Sequence, residues 1–269
     1  MNNSSNSSLF RAAAKAALYV FLFLGMQGAA TVVYVILAVL FGGDANELLK
    51  SGDTLIAISI FADVFCVAAV FFTEVIRKRD PLETLRIKKM PLGPVAPIAI
   101  CAVSFCTLML LALNMIPFPQ SWVDSYNESS SSIVSGNTIL TVIFTVIVAP
   151  IAEEVIFRAM VYGSLGRKMN PYLAAAITSA VFGLMHGSII WFMYATLLGM
   201  IINVIFIRVD SIAAPILFHV IFNVIGTTCA GIVELSGGIK IALLCISLIA
   251  SAVSLGFVLC FTKTADKND

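Results

Sequence analysis

An all-α, polytopic membrane protein built as a bundle of eight transmembrane helices is the fold class this sequence predicts. Three observations carry the prediction. Hydrophobic residues make up 60% of the chain and charged residues only 12%, with a mean hydropathy of +1.02, whereas soluble domains carry about 25% charged residues. The apolar runs have helical length and do not alternate like ten-residue strands, so a bundle is favoured over a barrel. The Lys and Arg residues are concentrated in alternate connections, as a fixed membrane topology requires.

A span needs about 20 mostly apolar residues. On that basis the spans fall at 16–42, 54–76, 93–115, 138–162, 171–187, 189–207, 211–232 and 239–262. Residues 1–15 read as a polar N-terminal tail, 16–262 as a single membrane-embedded domain, and 263–269 as a C-terminal tail. One set of connections holds Arg11 and Lys15, the Arg77–Lys89 cluster, Arg167 and Lys168, Arg208, then Lys263 and Lys267; the other holds only Lys50 and Lys240. The expectation is a multi-pass protein of the cell membrane with both termini cytoplasmic. The start reads as lacking a cleavable signal peptide, because the apolar run after the polar Met1–Ser8 is too long for one. A formal net charge of +1 gives no case for a nucleic-acid partner. The cysteines, Cys66, Cys101, Cys106, Cys229, Cys245 and Cys260, all fall in apolar segments without a Cys-x-x-Cys pair, and read as small buried hydrophobes.

Within this frame the second span carries Asp63 at mid-depth. A carboxylate there either bonds a polar group on a neighbouring helix or belongs to a site; the first reading is preferred, since nothing else in that helix supports chemistry. The Arg77–Met90 loop is basic enough to lie on an anionic leaflet. The Met115–Asn137 loop is polar, with Trp122 and Tyr126 suited to the headgroup level and a flexible-looking run at Ser129–Ser132. Residues 171–186 make only about 24 Å of helix, less than the hydrocarbon thickness of about 30 Å. The hairpin that follows is therefore expected to turn inside the membrane, with His186 at the turn.

The chemistry-bearing residues lie in the later spans. Glu153, Glu154 and Arg158 end an apolar run, and intramembrane ionisable groups cost about 2.5–3.5 kcal/mol each on insertion scales. Glu154 and Arg158 are four apart and can pair on one helical face; Glu153 is turned about 100° away. One reading is a purely structural ion-pair cluster. The preferred one is that Arg158 holds Glu154 while Glu153 faces a cavity as a base. The chain has two histidines, His186 and His219, both in apolar helices. Phe182 shares a face with His186, and Asn223 shares one with His219, each at a spacing of four. Two roles suit the set. Glu153 and one histidine activate a water while the other histidine and Asn223 stabilise an oxyanion. Alternatively Glu153, His186 and His219 bind zinc. The metal-free role, with no cofactor, is preferred because there is no His-Glu-x-x-His and Asn is an uncommon zinc ligand.

Read as motifs, Glu153-Glu154-Val155-Ile156-Phe157-Arg158, Phe182-Gly183-Leu184-Met185-His186 and His219-Val220-Ile221-Phe222-Asn223 resemble the Glu-Glu-x-x-x-Arg, Phe-x-x-x-His and His-x-x-x-Asn signatures of the CPBP family. That family of intramembrane glutamic proteases includes the CAAX prenyl endopeptidases and bacterial Abi proteins linked to bacteriocin processing and self-immunity. The resemblance spans 138–231 and implies an eight-helix, CAAX-protease-like fold with endopeptidase activity. It implies catalytic roles for Glu153, Glu154, His186, His219 and Asn223, with Arg158 and Phe182 in support. The implied partners are the lipid bilayer and a membrane-associated peptide or protein substrate, prenylated or a bacteriocin or signal-peptide precursor. The short chain reads as bacterial, which favours the precursor. The competing classes are a non-catalytic scaffold or immunity protein on the same fold, and an ion-coupled carrier, for which no internal repeat is found.

Overall fold

The computed structural model describes residues 2–134 and 138–261, all helix and connection among the described residues. The C-terminal tail expected at 263–269 lies outside the described residues. The helices are α1 (Asn2–Leu40), α2 (Ala45–Lys50), α3 (Gly52–Ile76), α4 (Pro81–Thr84), α5 (Val95–Met115), α6 (Gln120–Val134), α7 (138–165), α8 (Pro171–Leu184), α9 (Ile189–Val209), α10 (Ala213–Thr228) and α11 (Gly237–Cys260). Six of them are long and apolar enough to cross a membrane, and α8 and α10 are shorter apolar helices. Each of the eight predicted apolar segments thus forms a helix.

Two connections differ from the expectation. The polar start is helical from Asn2, continuous with the first span. The Ser129–Ser132 run is the last turns of α6, where Ser129 and Ser130 donate to carbonyls four residues back at 2.8 and 2.5 Å. These bonds satisfy the hydroxyls within the helix, so a serine run need not open the backbone.

The packing order sets α1 against α3 and α7, α5 against α10 and α11, and α8 against α9. Bulky side chains point outward, Phe21, Val32, Phe61, Phe72, Ile249 and Phe257 among them, each more than half exposed. Such a surface suits lipid, which satisfies no backbone polar group and so requires helices. Small residues fill the inside. At the α8–α9 contact a Cβ on Gly183 would lie 2.7 Å from the Phe192 carbonyl, and one on Gly199 would lie 3.0 Å from Ser179 Cβ. Close backbone approach of this kind is how helices associate where no hydrophobic drive separates lipid from protein. Asn203, fully buried, donates across the same contact to Ser179 Oγ at 3.0 Å.

α7 is not a regular helix. Ile143–Val148 and Val155–Tyr162 are π-helical, and the α-helical Ala149–Glu154 lies between them. Pro150 accounts for the first, because it has no N–H to return to a carbonyl one turn back. Extra residues per turn of this type recur at functional sites.

Candidate active site

The short α8 sets the level of the site. Its 14 residues span about 21 Å. The chain then turns through Met185–Ser188, with Gly187 at a φ of +79° that a side chain would resist. Ser188 caps α9 by accepting from Trp191 N at 3.2 Å. His186 is thereby held at the turn, and its Nδ1 lies 2.9 Å from the Phe182 carbonyl. A carbonyl only accepts, so Nδ1 carries the proton and Nε2 of the neutral ring is an acceptor.

Phe182 is the hub. Its ring is 4.8 Å from the His186 ring and 6.1 Å from the His219 ring, both edge-on. The Arg158 guanidinium lies 4.6 Å from the same ring centroid. Arg158 is fully buried, and its Nη1 and Nη2 find no hydrogen-bond partner among the described residues. Its charge is met by the ring face and by Glu154 Oε2, 3.0 Å from Nε. The spacing-of-four pair read from the sequence is therefore present.

Glu154 has a second partner that sequence did not give. Its Oε1 is 2.7 Å from His219 Nδ1. The carboxylate fixes the proton on Nδ1, which leaves Nε2 facing Glu153 Oε2 at 3.7 Å. Glu153, turned from Glu154 on the helix, reaches the other edge of the same ring, so both carboxylates flank one imidazole, whose two nitrogens face successive positions of α7. Burial divides the pair: Glu154 is sealed, and the Glu153 side chain is 20% exposed.

Asn223, one turn beyond His219, donates through Nδ2 to the Thr145 carbonyl at 2.7 Å. That carbonyl sits in the first π-helical segment, so the amide bonds α7, not the His219 ring. The same Nδ2 retains a second N–H. His186 and Asn223 thus border the cluster of Glu153, Glu154, Arg158, Phe182 and His219 without bonding its carboxylates.

Asp63 takes the structural reading, accepting from Gln27 Nε2 at 2.7 Å. It is also close enough to Glu153 for the two charges to act on each other. Gln27 was missed; a lone amide in an apolar run opposite a lone carboxylate was the available signal. Trp191 was also missed. Its ring is 5.7 Å from His186 and 5.9 Å from Tyr126 of α6, which ties the outer helix to the site.

The zinc alternative requires Glu153, His186 and His219 to share one ion. Among the described residues no three His, Cys, Asp or Glu side chains are grouped to hold a metal. The residues as placed do not fit that role.

Residues 135–225 match the model of a protein family described as type II CAAX prenyl endopeptidase Rce1-like. All three motifs and every residue of the cluster fall inside that range. The 135–225 region is CPBP-like. Among relatives, the membrane protein YdiL of Bacillus subtilis (strain 168), provisionally assigned as a peptidase, is 34% identical over 84 residues. The alignment covers 31% of this chain and 34% of YdiL, about a third of the relative's own length. No solved structure matches the chain.

Proposed function

We propose that this protein is an intramembrane endopeptidase of the CPBP type that hydrolyses a peptide bond with a water activated between Glu153 and His219. One observation carries the reading. Glu153 Oε2 and His219 Nε2 are 3.7 Å apart, and with Nδ1 protonated toward Glu154 both are acceptors. Two acceptors at that distance repel unless a shared donor lies between them. A water offers one O–H to each, as polar groups beyond direct bonding distance commonly require.

The water oxygen then attacks the scissile carbonyl carbon while its proton passes to the Glu153–His219 pair. A protonated His219 lies between two carboxylates and is stabilised by both. Arg158 pairs with Glu154 and aligns it, so the sealed carboxylate orients the ring and leaves proton transfer to the more exposed Glu153. The uncommitted N–H of Asn223 suits the developing oxyanion. His186, an acceptor at Nε2, suits proton movement to or from the leaving amine. Collapse of the tetrahedral adduct breaks the C–N bond, and the proton taken from water goes to the amine nitrogen.

The substrate proposed is a membrane-associated peptide or protein, with a peptide precursor preferred over a prenylated protein. A cleavage screen of candidate peptides against wild type and Glu153→Gln tests the reading. The variant is expected to lose activity by a factor of about 10²–10⁴, the range of general-base contributions. Undiminished cleavage by Glu153→Gln would reject it. Metal analysis of the active protein tests the mechanism separately: stoichiometric zinc would overturn the metal-free scheme.

A further inference from the structure

At the end of the bundle where the basic connections gather, we infer a binding pocket for a phosphate-bearing anion of the kind an acidic phospholipid headgroup presents. A cavity of about 1080 Å³ opens there between α1, the 77–90 loop and the connection after α7. Six cations line it, Lys15, Lys78, Arg79, Arg86, Lys88 and Arg167, against three carboxylates, Asp80, Glu83 and Asp210.

The carboxylates do not neutralise it. Asp210 is engaged by Arg86 and Lys88, and Asp80 accepts from Leu82 N at 2.9 Å. Arg79 is drawn to the buried Glu74 at 3.5 Å. Lys15, Lys78 and Arg167 make no ion pair among the described residues. Glu74 is the strongest charge acting on Lys15, opposed by Arg79, Arg167 and Arg77, and Arg167 also acts on Arg86.

Free loops would relieve such repulsion by splaying apart, but these segments are pinned. Ile212 N donates to the Arg86 carbonyl at 3.0 Å and Ser211 Oγ to the Lys88 carbonyl at 2.8 Å. Cations held together over a concave, partly desolvated volume favour an anion with several acceptor oxygens. A flanking cavity of about 410 Å³ shares Lys15 and Arg167 and adds Arg11 and Lys168, extending the positive lining. The position favours a lipid. Lys15 lies on α1, whose outward Phe10, Leu18 and Phe21 are 75%, 58% and 69% exposed, so the pocket opens beside the acyl layer.

The full chain in nanodiscs tests this. Thermal midpoints are compared in phosphatidylcholine alone, in phosphatidylcholine with phosphatidylglycerol, and in phosphatidylcholine with added inorganic phosphate. Phosphatidylglycerol is expected to raise the midpoint. The Lys15→Gln/Lys78→Asn/Arg167→Gln variant is expected to lose that rise, its affinity weakened on the order of 100-fold, with the midpoint in phosphatidylcholine unchanged. A rise with inorganic phosphate alone, lost in the variant, would assign the pocket to a soluble phosphate compound. If the triple variant does not fold, Lys78→Asn and Arg167→Gln singly, both exposed, are each expected to weaken the response about fivefold. A response equal in wild type and variants, or none to either anion, overturns the inference.

Discussion

His219 is the residue on which the site turns. It is 3% exposed and receives Glu154 on one nitrogen and Glu153 near the other. Neither contact is legible in sequence, since 65 residues separate it from Glu154. By contrast, the Glu154–Arg158 pair is legible, because four residues on one helix always bring side chains together. Breaking that buried pair leaves a lone charge, which costs about 3–5 kcal/mol. Glu154→Gln and Arg158→Met are each expected to lower unfolding stability by that order. The double variant is expected to recover part of the loss, measured by thermal unfolding in detergent. Equal additive losses would mean that the two groups do not compensate each other.

At the scale of the element, α7 and the α8–α9 hairpin decide the geometry. Pro150 sits just after the first π-helical segment, in which the Thr145 carbonyl accepts from Asn223. Pro150→Ala restores the missing N–H and is expected to shift this segment toward regular α-helix. The Glu153 carboxylate would then rotate away from His219, so peptide cleavage falls while thermal stability holds or rises. Gly183→Ala acts by a different route. The added methyl meets the Phe192 carbonyl and Thr196, and overpacking of this kind costs about 1–3 kcal/mol. A lower unfolding midpoint is expected, with loss of the His186 position as its consequence; an unchanged midpoint would place the backbone contact elsewhere. Hydropathy located α7 and the hairpin because burial in lipid is written in composition. It did not locate the π-helical segments, which depend on a single imino acid and on partners in other helices. Nor did it show α6 as a helix, since that segment is polar and owes its order to packing on α3 and α9.

For the whole molecule, the alternate placement of Lys and Arg predicts that both termini and the 77–90 loop face the cytoplasm. Single cysteines introduced at Lys78 and Lys168 in a cysteine-free background should react with an impermeant thiol reagent only from the cytoplasmic side. One at Ser131 should react only from the other side. Labelling of Lys78 and Ser131 positions from the same face would overturn the topology and with it the span count. The pocket inferred at the basic end depends on the same bias, but adds the gathering of cations from α1, the loop and the chain after α7 into one concavity.

Sequence alone determined that this chain is helical, membrane-embedded and a bearer of costly intramembrane carboxylates and imidazoles, because lipid penalises each polar group at its own position. It also determined the pairing of neighbours on one helix. Tertiary structure alone decided that Glu153 and Glu154 share the His219 ring, that Asn223 bonds the Thr145 carbonyl, and that Asp63 answers Gln27. The reason is that such contacts join helices far apart in the chain, whose rotation and depth follow from how small residues let their backbones approach.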